Sequence, residues 1–325
     1  KHLQTKMTKQ RDLRIVFMGT PDFAVATLKN LLDHNYNVVG VITAPDRPAG
    51  RGRKLKSSAV KKFALENHLK IMQPTNLKSE DFIKELQSLN ANLQIIVAFR
   101  MLPKVVWDMP EYGTFNLHAS LLPNYRGAAP IHWAIINGEV KTGVTTFFID
   151  DKIDTGAIIM KEEKDITKDE TVGGLHDKLM DIGSDLVIKT LKLIEADKIK
   201  TTIQPEDQDL KTACKLNREN CKINWNENLN HIYNKIRGLN PFPTAWCYLD
   251  NGDDKKLSIK IYGVSKTEEL HNSENGTVII TDNKIKVACK NGFINIKELQ
   301  LPNKRKMDSV SLLNGFKFHE NAKML

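Results

Sequence analysis

Cysteine is scarce in this 325-residue chain: there are four, Cys214, Cys221, Cys247 and Cys289. They form no Cys-x-x-Cys pair and have no histidines at ligand spacing. That argues against a zinc site or a disulfide frame and for free thiols in a reducing cytosol. Long apolar runs are also missing. The longest, around Ile95-Ile96-Val97-Ala98-Phe99, is far too short to span a bilayer. No charged, apolar and small-residue succession opens the chain, so no secretory signal is read. Only Gly19 stands where a dinucleotide-binding turn carries three glycines, which argues against a nicotinamide dehydrogenase and against NAD. Acidic residues fall short of basic ones, 39 against 48, for a formal net charge of +9. Residues 213–325 hold 18 Lys and Arg against 12 Asp and Glu, so +6 lies there and +3 in residues 1–212. A basic second half favours a polyanionic partner, because each neutralised phosphate releases counterions. A lysine-rich composition without such a partner would give the same count.

What is present suits two ordinary domains of a soluble α/β protein, with 41% apolar and 27% charged residues. Residues 1–10 read as an extension outside the fold. The run Arg14-Ile15-Val16-Phe17-Met18 reads as a buried first strand, followed by a helix to about residue 33 and a strand at Val38–Ile42. Strand, helix, strand opens a parallel sheet. Helical patterns follow at 58–68 and 79–90, then strands at 93–98 and 113–118, a helix at 129–137 and strands at 143–149 and 157–161. A long helix through Leu175, Leu179, Ile182, Leu186, Ile188 and Leu191 closes a Rossmann-like, mostly parallel domain at 11–196. Residues 197–212 are polar and read as a linker. In 213–325 a helix through Leu229, Ile232, Tyr233 and Ile236 precedes five short alternating runs, near 244–249, 257–264, 276–281, 284–289 and 293–299. That succession suggests a small β-barrel of the oligonucleotide-binding (OB-like) type, with a small β-sandwich as the alternative.

The stretch 113–130 is where chemistry concentrates. Alternation puts Asn116 and His118 on one face of a strand, and Pro123 and Gly127 end it in a structured loop. An amide that donates to a developing oxyanion, beside an imidazole that moves a proton, is an acyl-transfer pair. The same two residues also fit an interior strand with no catalysis. Asp154 lies on the turn 150–156; it reaches the same crevice if the flanking strands pair onto the sheet edge, and is otherwise a turn-former. The loop 43–56 crowds Arg47, Arg51, Arg53, Lys54 and Lys56 between two prolines and two glycines that bar regular structure. It suits gripping a nucleic acid backbone; the alternative is a solvated surface loop.

Taken together, Asn116-x-His118-x-Ser120-Leu121-Leu122-Pro123, Arg126-Gly127-Ala128-Ala129-Pro130 and Asp154-Thr155-Gly156 resemble the folate-dependent formyltransferase family, from about Arg14 to the C-terminus. The resemblance implies that Asn116, His118 and Asp154 are catalytic and that Ser120, Leu121, Leu122 and Pro123 lie against folate. It implies transfer of the formyl group of 10-formyltetrahydrofolate to the α-amino group of methionine on initiator tRNA, in the cytoplasm, with no metal and no membrane. The sequence does not reveal the oligomeric state; a monomer is the expectation. Arg47, Arg51, Arg53 and Lys54 would meet the tRNA acceptor end. The basic C-terminal domain, with Asn240-Pro241-Phe242-Pro243 and Trp246, would bind tRNA. Phe23 would line a methionine pocket, or simply pack the first helix. Two departures stand out. Phe99-Arg100-Met101-Leu102-Pro103 is one residue shorter than the usual loop facing folate, and Lys152 stands where glycine is common. A formyltransferase with a small amine acceptor and a non-enzymatic RNA-binding protein are the competing readings. The intact Asn116, His118 and Asp154 weigh against the latter, the arginine-bearing loop and basic second half against the former.

Overall fold

A computed structural model describes residues 10–206 and 209–325. Residues 1–9 of the extension read from the sequence lie outside the described part. The chain forms two compact units. One comprises the chain through Arg126 with Gly143–Lys164 and Asp177–Lys211; the other comprises Gly127–Thr142, Asp165–His176 and Thr212–Leu325.

The first unit is built on a seven-stranded sheet. From one edge its order is Ile158–Asp165, Lys141–Phe148, Thr114–His118, Leu93–Val97, Arg14–Gly19, Asn37–Ile42 and Ile71–Met72. The five strands from Thr114–His118 to the far edge pair in parallel, and Lys141–Phe148 joins antiparallel. Ile15, Val16, Phe17 and Met18 are all wholly buried, as a strand covered on both faces requires. The order reverses beside Arg14–Gly19: the chain moves from there to Asn37–Ile42 on one side and later returns to Leu93–Val97 on the other. Ligand crevices of open α/β sheets lie at the carboxyl ends of strands at such a reversal.

The loop 43–56 departs from expectation. Arg47–Ala49 and Lys54–Lys56 pair antiparallel, Arg47 opposite Lys56 and Ala49 opposite Lys54. Its prolines and glycines shape this ribbon instead of preventing it. Pro48 sits on a two-stranded ribbon with a free edge, where its missing donor is tolerated. Gly50 (φ +74°) and Gly52 (φ +103°) take the left-handed backbone of the turn.

In the second unit, strands form two sheets. One runs Met307–Asp308, Glu298–Gln300, Leu257–Ile261, Ala245–Asp250, Lys323–Met324; the other runs Val264–Glu268, Gly292–Ile296, Lys284–Cys289, Val278–Thr281. The expected runs 257–264 and 293–299 each break in two and serve both sheets. The breaks meet: the N–H groups of Lys297 and Glu298 both donate to the Gly263 carbonyl. Two strands thus turn one corner together, as closing sheets require, which is compatible with a small barrel. Asp282 (φ +49°) and Asn283 (φ +59°) make the tight turn anticipated between the third and fourth runs. Ile236, Cys247, Ile259, Ile285, Val287 and Ile294 form the centre of the core, and the helix Leu229–Leu239 supplies one wall. Among the described residues no helix is long and apolar enough to cross a membrane.

Candidate active site

Asn116 and His118 stand on the last turns of the strand Thr114–His118, two residues apart and so on one face. His118 is buried, its ring edge-on to Phe147 at 6.5 Å, and Asn116 is half-buried. His118 Nε2 lies 2.8 Å from the Tyr125 carbonyl oxygen. A carbonyl only accepts, so Nε2 carries the proton and donates; neutral His118 then presents a bare Nδ1. That Nδ1 faces Asp154, with Oδ2 3.8 Å away. The separation is too long for a direct hydrogen bond. It becomes an ion pair once Nδ1 takes up a proton.

Asp154 arrives there because Lys141–Phe148 and Ile158–Asp165 continue the sheet edge and carry the intervening turn over the strand end. Of the two possibilities left open by the spacing, the structure realises the juxtaposition. Asp154 has φ +56°, a left-handed conformation that aspartate tolerates better than most residues. Asp150 ties the turn, accepting from the Lys152 N–H at 3.0 Å and from the Thr155 hydroxyl at 2.7 Å. Gly156 is required by space: a Cβ there would lie 1.6 Å from the Phe148 carbonyl oxygen. Lys152 points outward, 3.4 Å from Glu206, and leaves Asp154 undisturbed.

The loop after His118 is fastened from several sides. The Ser120 hydroxyl donates to the Asn124 carbonyl (2.7 Å), and the buried Thr145 hydroxyl donates to the Ser120 carbonyl (2.6 Å). Ser120 and Leu122 are wholly buried, Leu122 against Phe147 and Ile158, whereas Leu121 and Pro123 are half-buried. Of the four residues expected against folate, Leu121 and Pro123 are therefore the ones with surface to offer.

Gln204 was not singled out in the sequence. Its amide donates to the Asp154 carbonyl (2.9 Å) and to the Gly156 carbonyl (2.7 Å), while its oxygen accepts from Arg126 at 2.8 and 3.2 Å. It is buried, and its segment was read as a polar linker. That segment also pairs Thr202 with Ile158 and passes Lys211 along Asn124 and Tyr125. Composition suggested a spacer because the polar side chains hide this role. One buried amide that satisfies two carbonyls carries no local pattern.

The remaining expected residues are spread around this centre. Phe23, in the first turn of the helix Asp22–Asp33, is 8% exposed. Arg47, Arg51, Arg53 and Lys54 are all exposed on the hairpin. At the hairpin base Asp46 binds Lys61 at 2.7 Å and accepts from Gln73 at 3.0 Å. Those bonds hold its carboxyl below the usual range. Arg100 donates to the carbonyls of Pro74 and Thr75; partial burial, and secondarily the charge of Arg47, lower its affinity for its proton. In the shortened loop Met101 is 62% exposed and Leu102 buried. Among the described residues no group of three His, Cys, Asp or Glu side chains could hold a metal ion.

Comparison with known proteins places this geometry. The formyl transferase family matches residues 13–191, and the formyl transferase C-terminal domain matches residues 215–317. A methionyl-tRNA formyltransferase of Flavobacterium johnsoniae is 61% identical over 312 residues, covering 96% of this chain and 99% of that protein. One of Bacteroides fragilis is 49% identical over 321 residues, covering 97% and 99%. Among solved structures, a sugar 3N-formyl transferase matches with TM-score 0.63 at 24% identity, covering 91% of this chain and all of the other. At that identity it speaks for the fold alone. By the residues matched and the identity to these relatives, the chain belongs to the formyl transferase family, alongside the methionyl-tRNA formyltransferases.

Proposed function

We infer that this chain transfers the formyl group of 10-formyltetrahydrofolate to the α-amino group of methionine carried on initiator tRNA, in the cytoplasm. The observation that carries the chemistry is the Asn116, His118 and Asp154 arrangement at the carboxyl end of the sheet, with a bare Nδ1 held 3.8 Å from a carboxylate. Identity to methionyl-tRNA formyltransferases supports the acceptor.

The reaction needs an amine to attack a formyl carbon. An α-amino group, with a pKa of about 7.7–8.0, is substantially unprotonated near neutral pH. As its nitrogen bonds to the formyl carbon, the carbonyl electron pair moves onto oxygen. In our reading the Asn116 amide donates to that oxyanion while His118 is still neutral. The attacking nitrogen then loses a proton to His118 Nδ1, directly or through water ordered by Asp154. The imidazolium so formed pairs with Asp154 and returns a proton to the departing folate nitrogen as the carbon–nitrogen bond to folate breaks. Proximity to Asp154 stabilises the charged intermediate form, as in other carboxylate-oriented histidines.

Leu121, Pro123 and the exposed Met101 supply apolar surface for folate, and Ser120 and Leu122 set the loop that presents it. Phe23 is assigned to packing beneath the methionine side chain. The hairpin cations Arg47, Arg51, Arg53 and Lys54 are assigned to tRNA phosphates. On this reading residues 11–196 hold the chemistry, 213–325 bind tRNA, 197–212 connect them, and the working protein is a monomer. The deciding assay supplies 10-formyltetrahydrofolate with methionine-charged initiator or elongator tRNA. Formylation of the initiator alone is the expected result. Transfer to a small amine in place of either tRNA would overturn the acceptor.

A further inference from the structure

The second unit carries a cavity of about 480 Å³, within the range of about 300–1,000 Å³ common to small-ligand sites. Its floor is a row of side chains on one sheet face: Trp246 lies opposite Lys260, and Lys260 opposite Gln300. The segment Leu216–Cys221 closes one side and Leu301–Asn303 the other. Arg218 folds over the floor with its guanidinium carbon 3.8 Å from the Trp246 ring centre. Two bonds fix it: the indole N–H donates to the Arg218 carbonyl at 2.6 Å, and the guanidinium donates to the Ser258 hydroxyl at 3.2 Å. One face of the guanidinium plane is therefore covered by indole, while the residue as a whole remains exposed. Lys260 is exposed, and Lys222 stands 5.2 Å from the neighbouring Tyr248 ring. Among the described residues no acidic side chain lines the cavity.

A rigid cationic plane with one open face, an ammonium nearby and amides at the rim match a flat heteroaromatic ring joined to an anion. Unpaired bases stack on arginine planes as they do on aromatic rings, and their edges are read by amides such as Asn217 and Asn303. We propose that this cavity holds one unstacked nucleotide of RNA, its base on the open face of Arg218 and its phosphate at Lys260. The inference rests on the reading of this half as RNA-binding and names the nucleotide contact within it.

The test uses the full-length protein, fluorescein-labelled single-stranded tetraribonucleotides and unlabelled AMP and UMP as competitors, with Arg218→Ala, Arg218→Lys and Lys260→Gln. Stacking is worth enough that Arg218→Ala is expected to weaken tetranucleotide binding about tenfold. Arg218→Lys keeps the charge and loses the plane, so it is expected to weaken binding nearly as much. Lys260→Gln is expected to flatten the salt dependence. Wild-type affinity in Arg218→Lys would overturn the stacked pose. AMP or UMP binding more tightly than the tetranucleotide would overturn RNA as the source, leaving a free-nucleotide site. Initiator formylation is measured on the same preparations. Protein that formylates but does not bind the tetranucleotide sinks this inference alone, and protein that does not formylate sinks the function whatever the cavity does.

Discussion

His118 donates through Nε2 because its partner is a backbone carbonyl, and that constraint leaves Nδ1 as the ring atom able to take a proton. His118→Ala is expected to lower kcat by about 10²–10⁴, the usual worth of a positioned acid–base group, with tRNA affinity unchanged. Asp154→Asn keeps a side chain that tolerates the left-handed backbone and removes the charge, so its loss should also fall on kcat. Steady-state kinetics beside tRNA titration reads both; equal losses in rate and affinity would mean that these residues hold the fold instead. Gly156→Ala has no room, since its Cβ would meet the Phe148 carbonyl at 1.6 Å. The Asp154 turn must move, and activity should vanish even in protein that remains folded by circular dichroism. Asn116 and His118 were legible because period-two alternation is a local rule. Asp154 was legible only as one of two possibilities, because strand pairing at the sheet edge decides where the turn lands.

Among the elements, the segment between the two halves departs furthest from its sequence reading. It stitches itself to the first unit through Thr202, Gln204 and Lys211. Gln204 bonds to the backbone of Asp154 and Gly156 and to no side chain assigned to the reaction, so on that assignment it would act as a positioning residue. Gln204→Glu replaces a double donor with acceptors facing two carbonyls. It should cut kcat at least tenfold and change the pH–rate profile, with KM for tRNA held. A melting-temperature loss with an unchanged profile would mark a purely structural role. The arginine hairpin is the opposite case: its charges were legible, its pairing was not. Two-stranded pairing depends on which glycines accept a left-handed backbone, and spacing alone does not reveal that. Replacing Arg47, Arg51 and Arg53 with alanine should reduce the slope of log affinity against log salt by about 0.7–0.9 per lost phosphate contact, with little change in turnover at saturating tRNA.

For the whole molecule, the cysteines report on packing. Cys214 is exposed and Cys221, Cys247 and Cys289 are buried. Burial pushes Cys247 up to about 12 and Cys289 up to about 11, and raises Cys221. At pH 8 one thiol per folded chain should react quickly with a disulfide reagent, and four after denaturation. These thiols, and Tyr233 at about 12, keep their protons in the fold and give them up more readily when unfolded. Their contribution is complete below the unfolded values, near 9–10, and is lost as pH rises toward the folded ones, so the melting temperature should fall steadily above about pH 9. A flat profile from pH 8 to 11 would contradict the burial of these groups. An expectation of two parts was readable from composition, since each half has its own apolar rhythm. The interleaving was not, because residues 127–142 and 165–176 cluster with residues 212–325, far along the chain.

The Gln204 brace also sets an order of events. A ribosome releases Asn116, His118 and Asp154 well before the amide that holds the Asp154 turn, which follows 50 residues later. The nascent chain therefore carries the three side chains assigned to the reaction for some time without the bond that braces the Asp154 turn. On the proposed assignment, the turn that carries Asp154 gains its brace only when the connecting segment has emerged, so the centre would be timed by a stretch outside it.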